Sequence, residues 1–160
     1  MPISNWKRIV QLLQQKEITI SVMESCTGGY ILNEITNVSG ASNILKEGAV
    51  TYCNEAKIKL GVPQKTLEKY SVYSAETAVA MAKATKKNAS ASIGIGITGL
   101  LGRLDPSNPF VKKQNHVWYA ILYKSNQPII KELDVPSSKS RKTQKAFVAD
   151  DIATTLLSIL

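Results

Sequence analysis

The stretch ITISVMESCTGGYIL, residues 18 to 32, predicts the central unit of the fold. Ile18 to Met23 is rich in β-branched side chains, which favours a strand. The polar turn ESCTGG follows at residues 24 to 29, and the apolar spacing from Tyr30 to Ile35 then predicts a helix. A strand that leads through a tight turn into a helix is typical of α/β domains.

Strand and helix patterns continue on both sides of this stretch. Ser4 is placed to cap a first helix, whose apolar residues recur at helical spacing. Further along, the sequence predicts a strand at Gly48 to Tyr52, a short helix capped by Asn54, another short helix that begins at Gln64, and a longer helix from Ser74 to about Lys87. It then predicts strands at Ser92 to Thr98, Val117 to Tyr123 and Ile129 to Val135, and a final helix through Val148 and Ile152. The last two strands are joined by a short connection, so we expect an antiparallel hairpin.

Two stretches in this pattern are unusual. Ser92 to Thr98 alternates glycine with isoleucine, which indicates a buried strand that another backbone can approach closely. Gly99 to Asn115 shows no periodicity and contains two prolines, and a loop of that length in a small domain is usually functional or disordered.

Together these elements predict one domain over residues 1–160 with an α/β fold. We expect three layers, α/β/α, around a mixed and largely parallel sheet, because strands and helices alternate until the late hairpin. In such sheets ligands bind at the carboxyl ends of the strands.

Composition and charge narrow the class of protein. No apolar run approaches the length of a membrane span, and the N-terminus has no signal-peptide pattern, so we expect a cytoplasmic protein without membrane contact. Two cysteines and one histidine are too few to suggest a metal site. The net charge of +8 permits attraction to phosphate groups. The basic residues are dispersed, however, and the densest cluster, Lys139, Arg141, Lys142 and Lys145, lacks interleaved aromatics. We therefore expect a solvated basic surface and not nucleic-acid binding.

Residues 24 to 29 form the first candidate site. Hydroxyls, a thiol and two glycines lie between a strand end and a helix start, where unpaired amides favour an anion and can activate a nucleophile. The same residues would also serve simply as a helix cap and turn.

The second candidate is Tyr52 to Lys57, the sequence YCNEAK. With Asn54 as the cap, Lys57 would lie in the first helical turn, where the helix dipole and any burial lower the pKa of an amine toward that of a general base. Tyr52 could donate a hydrogen bond. A solvated lysine beside a tyrosine at the sheet rim is the simpler interpretation of this segment alone.

A third candidate is Thr98-Gly99, at the end of the glycine-rich strand, which could hold polar groups of a ligand. His116 is the one histidine available for a Ser-His-Asp triad. Because no supporting spacing accompanies it, we do not expect such a triad.

These segments together resemble the CinA C-terminal domain family. The matching residues are Glu24 to Gly29, Gly40 to Ser42, Gly48 to Lys57 and Leu60 to Val62, with Val72 to Ala82 matching a further helical segment. The family shows AESCTGG, G-S-S and G-x-V-x-Y-S-N-E-A-K at the same spacing. The resemblance spans nearly the whole chain, and many relatives carry an N-terminal partner domain, whereas this chain begins directly with the matching domain, as a stand-alone form would.

The resemblance implies a hydrolase without metal or cofactor that converts nicotinamide mononucleotide to nicotinic acid mononucleotide and ammonia, in pyridine-nucleotide salvage. It also implies a homo-oligomer, a dimer or larger. Proteins of this family are named for competence or damage induction. By position, Ser25 would be the nucleophile and Tyr52 and Lys57 its activating partners. Substrate contacts would come from Glu24, Thr27, Gly28, Gly29, Asn54, Thr98, Gly99 and Arg103, the last as a phosphate partner. The residues themselves leave open whether Ser25, Thr27 or an activated water attacks.

One segment departs from the family pattern. Where the family has S-G-I-A-G-P-x-G-G and later K-P-x-G-T-V, this chain has TGLLGRLDP from Thr98 and KKQNHV up to Val117. The lost glycines motivate an alternative function, that of a nucleotide-binding or regulatory relative that keeps the fold without turnover. Near the C-terminus, Arg141 and Lys145 fit the family's R-x-x-V-R only approximately.

Overall fold

The computed structural model describes residues 1–102, 106, 113–125 and 127–160. Its elements are α1 (Asn5–Gln15), β1 (Ile20–Glu24), α2 (Tyr30–Thr36), a short 3₁₀ turn (Ala41–Asn43), β2 (Leu45–Val50), α3 (Asn54–Lys59), α4 (Gln64–Tyr70), α5 (Ala75–Ala89), β3 (Ile93–Leu100), β4 (His116–Tyr123), β5 (Ile129–Asp134) and α6 (Arg141–Ile159). Ser4, Ser74 and Ser140 cap α1, α5 and α6 through their side chains. Among the helices that the structure describes, none combines the length and the apolar composition that a membrane span requires.

The five strands form one mixed sheet in the order β2-β1-β3-β4-β5. β1 is parallel to both β2 and β3, whereas β4 is antiparallel to β3 and to β5. All strands except β4 therefore run in one direction, and the predicted largely parallel sheet with a late antiparallel hairpin is confirmed. The parallel arrangement brings the carboxyl ends of β1, β2 and β3 to one edge of the sheet.

Helices cover both faces of the sheet, as the three-layer prediction requires. On one face α1, α2 and α6 surround a large apolar core that includes Ile9, Leu13, Ile20, Ile95, Tyr119 and Ile152. On the other face α5 packs across the sheet, with α4 beside it, through two smaller clusters built around Met81 and Ala82. A sheet whose strands are buried on both faces explains why β3 is buried at every position.

The glycines of β3 set the distance between the sheet and α5. A Cβ on Gly96 would lie 2.2 Å from the Ala78 carbonyl oxygen, and one on Gly94 would lie 2.3 Å from the Ala82 carbonyl oxygen. No side chain fits in that space, so the helix backbone rests directly on the strand. The close approach expected from the alternating glycines is confirmed.

Several boundaries differ from the sequence prediction. Cys53, in extended conformation, is the N-cap of α3, so Asn54 is the first helical residue rather than the cap. β3 runs on through Gly99 and Leu100, because both residues pair with β4, and the irregular segment therefore begins later than predicted. Much of that segment, residues 103–105 and 107–112, lies outside the described residues.

Candidate active site

A cavity of about 730 Å³ lies at the edge where β1, β2 and β3 end. It is lined by residues from the turns after β1 and β2, from α3, from the segment between α4 and α5, from the end of β3 and the residues that follow it, and from the start of α6: Ser25, Cys26, Tyr52, Cys53, Asn54, Glu55, Lys57, Val72, Tyr73, Gly99, Leu100, Leu101, Gly102 and Arg141. Its volume is within the range of small-molecule sites. The cavity lies at the sheet edge where a ligand was expected.

Ser25 and Lys57 meet in the buried part of this cavity. Lys57 Nζ lies 3.0 Å from Ser25 Oγ and donates to the Thr51 carbonyl oxygen at 2.6 Å. The lysine side chain is almost fully buried, with 1% of its surface exposed, and Ser25 is 8% exposed. The Thr51 amide donates to the Glu24 carbonyl at 2.8 Å, so the ends of β1 and β2 are joined where the lysine binds.

Burial lowers the pKa of Lys57 from 10.5 to about 8, because the low-polarity surroundings disfavour the ammonium form, while the nearby Cys26 and Cys53 thiols act in the opposite direction. The sequence predicted a lowered pKa from the helix dipole together with any burial. With Cys53 as the cap, Lys57 is the fourth residue of a six-residue helix and belongs to its last turn. Burial, which was part of that prediction, is the dominant cause, whereas the dipole part does not hold for a lysine in the last turn.

The Glu24 carboxylate organises the turn that carries Ser25. It is fully buried, and it accepts bonds from the Thr27 hydroxyl at 2.6 Å, the Gly29 amide at 3.0 Å and the Leu32 amide at 2.8 Å. A buried carboxylate requires such donors, since each missing one leaves its charge less compensated. Glu24 thus holds the first turn of α2 in place, and it lies outside the cavity lining.

This arrangement changes the roles expected for residues 27 to 29. The Thr27 hydroxyl and the Gly29 amide already donate to Glu24, and the Gly28 amide donates to the Ser25 carbonyl at 3.0 Å. These donors, predicted to contact substrate, are used inside the turn, and none of the three residues lines the cavity.

The remaining predicted site residues are divided between the cavity and its surroundings. Asn54 and Gly99 line the cavity. Thr98 is fully buried behind it, and its hydroxyl donates to the Val72 carbonyl at 2.7 Å. Arg103 lies outside the described residues.

Tyr52 lies at the exposed rim of the cavity rather than beside the nucleophile. It is 64% exposed, and its hydroxyl accepts a hydrogen bond from Arg141 Nη2 at 3.1 Å. Within the described residues it makes no hydrogen bond to Ser25 or Lys57. Of the two predicted activating partners, the structure therefore brings only Lys57 to Ser25.

Arg141 is the main site residue that the sequence prediction missed. Besides Tyr52, it binds the Leu101 carbonyl oxygen through Nη1 at 2.5 Å. Lys145 lies one turn later on α6 and approaches the turn that carries Ser25. Its Nζ is 3.2 Å from the position that a Cβ on Gly28 would occupy. Both belong to the basic cluster that the sequence analysis assigned to solvent, and their four-residue spacing on one helix face was the available signal.

The cysteines and the histidine are not arranged for catalysis. Burial raises the pKa of the Cys26 thiol to about 12, with the Glu24 charge adding to the effect, so the thiol stays protonated at neutral pH. Cys53 is exposed at the rim. His116 begins β4 away from Ser25 and contacts Asp134 and Glu132 at 2.7 and 2.6 Å. In the part of the chain that the structure describes, no group of three His, Cys, Asp or Glu could hold a metal.

Comparison with known proteins agrees with this architecture. Residues 4–156 match the family model described as the CinA C-terminal domain. The chain belongs to this family. A CinA-like protein of Kosmotoga olearia is 37% identical over 155 residues, which is 95% of this chain and 37% of that protein. A putative competence-damage inducible protein of Alkaliphilus oremlandii is 39% identical over 134 residues, or 83% of this chain and 32% of its own length.

This chain thus spans about a third of the length of these CinA-family relatives.

Solved structures give the same fold. A CinA superfamily protein from Escherichia coli superposes with a TM-score of 0.88 at 24% identity, covering 100% of this chain and 95% of that one. A competence or damage-inducible protein from Enterobacter asburiae superposes with a TM-score of 0.87 at 22% identity, covering 97% of this chain and 95% of that one.

Proposed function

We propose that this CinA-family domain hydrolyses the amide of nicotinamide mononucleotide to nicotinic acid mononucleotide and ammonia, a reaction of pyridine-nucleotide salvage. The observation that supports it most is the buried Ser25–Lys57 pair, 3.0 Å apart, at the wall of a nucleotide-sized cavity. A serine hydroxyl needs a base to attack an amide, and a lysine of pKa about 8 supplies one near neutral pH.

The contacts of Lys57 define its part in the first step. In the neutral amine, one N–H donates to the Thr51 carbonyl, which leaves the lone pair free to accept the Ser25 proton. Ser25 Oγ then forms a bond to the amide carbon while its proton passes to Lys57. When the tetrahedral intermediate collapses, the carbon–nitrogen bond breaks and Lys57 returns that proton to the leaving nitrogen, which departs as ammonia.

The second step reverses these proton movements with water. Neutral Lys57 takes a proton from the water that attacks the Ser25 ester, and the proton then returns to Ser25 Oγ as the carboxylic acid leaves. The negative oxygen formed in each step needs donors, and the backbone amide of Cys26, a residue that lines the cavity, directly follows the nucleophile. In this proposal the Cys26 amide takes the place of Thr27, Gly28 and Gly29, which the family resemblance named as substrate contacts.

The rest of the cavity suits a charged mononucleotide. Arg141 and Lys145 supply positive charge for a phosphate at the rim, where Arg141 can bind it with two donors. Tyr52 and Tyr73 line the same cavity, and aromatic faces attract a cationic pyridinium ring. These features favour a nucleotide with an anionic and a cationic end over a neutral amide.

The test is ammonia release from nicotinamide mononucleotide by the purified chain. Lys57→Met, which replaces the amine with an apolar side chain of similar length, is compared with Lys59→Met, which removes an exposed lysine from the same helix. We expect release from the wild type and from Lys59→Met, and almost none from Lys57→Met.

A different result would point to the alternative function. Binding of the nucleotide by folded wild-type protein without ammonia release would overturn the amidase proposal. It would favour a nucleotide-binding or regulatory relative, which the altered sequence between Gly99 and Val117 motivates.

A further inference from the structure

Asn115 lies where three segments meet, at the base of the cavity wall formed by Leu101 and Gly102. Its Oδ1 accepts the Gly102 amide at 2.8 Å and Gln144 Nε2 at 2.8 Å. Its carbonyl oxygen accepts the Val135 amide at 2.8 Å. One residue thus connects the end of β3, the segment after β5 and the first turn of α6.

The orientation of these side-chain amides is determined by their partners. Gln144 Nε2 also donates to the Pro136 carbonyl at 3.0 Å, and a carbonyl can only accept, so the nitrogen must face Pro136 and Asn115. The Gly102 amide can only donate, so Asn115 must present its oxygen. With two donors, Oδ1 has both of its acceptor sites filled.

The backbone of Asn115 also suits this role. Its φ is +52°, in the left-handed region that asparagine, aspartate and glycine tolerate best. Gln144 is 2% exposed, and its Oε1 has no partner among the described residues. Gln144 thus uses the donor side of its amide to join Asn115 and Pro136.

The wall held by Asn115 is also the wall that binds Arg141. Arg141 Nη1 donates to the Leu101 carbonyl, and a Cβ on Gly102 would lie 3.4 Å from the same nitrogen. α6 therefore contacts the Leu101–Gly102 segment twice, through Arg141 directly and through Gln144 by way of Asn115. Any shift of Gly102 would move the Leu101 carbonyl and release the guanidinium.

We propose that Asn115, together with Gln144, is a positioning residue that fixes the Leu101–Gly102 wall and so places Arg141 for the substrate's anionic end. That Arg141 binds the anionic end of the substrate rests on the proposed function. Ser25 directly follows β1 and Lys57 lies on α3, whereas this clamp joins the end of β3, the segment after β5 and α6. Asn115 therefore acts on binding and leaves the chemical step unchanged.

A pair of variants separates the hydrogen bonds from the backbone conformation. Asn115→Gly keeps the positive φ and removes the acceptor, whereas Asn115→Asp keeps both. We expect Asn115→Gly to raise KM for nicotinamide mononucleotide about 5- to 20-fold, because the loss of one buried hydrogen bond corresponds to a factor of that size. Its kcat should stay within about twofold of the wild-type value. Asn115→Asp should keep KM close to the wild-type value. Equal KM values for the two variants, or a loss confined to kcat, would overturn the proposal.

A second measurement tests the clamp without substrate. Exchange of the Gly102 amide proton, followed by NMR, should accelerate in Asn115→Gly and stay slow in Asn115→Asp. If the wild type releases no ammonia, the amidase proposal is overturned, but the exchange rates still test the role of Asn115. An unchanged exchange rate of the Gly102 amide in Asn115→Gly would overturn that role. Should Asn115→Gly not fold, Gln144→Met removes the α6 side of the clamp. In an active protein Gln144→Met is expected to raise KM, and in an inactive protein it is expected to speed exchange of the Gly102 amide. Wild-type values of KM and of the exchange rate would overturn the clamp.

Discussion

The pH dependence of turnover follows from the burial of Lys57. A free amine is required to accept the Ser25 proton, and the pKa of Lys57 falls from 10.5 to about 8 in the folded protein. At pH 7 the free-base fraction is then about 9%, against about 0.03% for an exposed lysine, a gain of about 300-fold. We therefore expect kcat/KM to rise about tenfold between pH 7 and pH 9 and to level off above that.

Ammonia release measured at fixed ionic strength from pH 6 to pH 10 gives this profile. Lys59→Met serves as the control and should show the wild-type curve, because Lys59 is exposed on the same helix. A flat profile between pH 7 and pH 9, or a rate that still rises about tenfold per pH unit up to pH 10, would refute the role of Lys57 as a base activated by desolvation.

Stability gives an independent measure of the same shift. Between about pH 8 and pH 10.5 the unfolded chain holds a proton on Lys57 that the folded chain has lost, so the free energy of unfolding rises with pH across this window. Below pH 8 the cost of the buried charge is fully present, and 2.5 pKa units amount to about 3 kcal/mol. Urea unfolding of wild type and Lys57→Met should show the wild type gaining about that much relative to the variant across the window. A constant difference between the two proteins would contradict the shift.

Three further predictions concern the nucleophile, the turn and the sheet. Ser25→Ala should lower kcat by a factor of about 10³ or more without changing the melting temperature, and substantial turnover in this variant would indicate attack by water or by Thr27. Glu24→Gln leaves one of three donors without an acceptor and should reduce the free energy of unfolding by about 1–3 kcal/mol in urea titrations, whereas an unchanged midpoint would show that the carboxylate is not needed. Gly96→Ala places a Cβ 2.2 Å from the Ala78 carbonyl and should destabilise the protein by about 1–3 kcal/mol. A melting temperature equal to that of the wild type would show that α5 can move away from the sheet.

The sequence contained enough information for the architecture because its signals are local. Periodicity and caps identified the helices, and the alternation of glycine with isoleucine marked β3 and the contact between α5 and the sheet. Since parallel strands share a carboxyl edge, the segments after β1, β2 and β3 were expected to meet there, as they do in the cavity. Ser25 and Lys57 were both named from their motifs.

The details of the site depended on tertiary contacts that no local pattern reports. The donors of residues 27 to 29 were assigned to substrate, but Glu24 is buried and takes two of them. The lowered pKa of Lys57 was attributed to the helix dipole together with any burial, and only the structure shows that burial under the surrounding elements is the dominant cause. Arg141 was assigned to solvent because its partners, Leu101 and Tyr52, are 40 and 89 residues away in the chain.

The sequence by itself therefore determined the elements, their order and the edge at which chemistry would occur, because caps, periodicity and turns act within a few residues. The tertiary structure decided which polar groups face the cavity and which are used internally. Desolvation and hydrogen-bond satisfaction depend on every segment packed around a group, and in this fold those segments come from both ends of the chain.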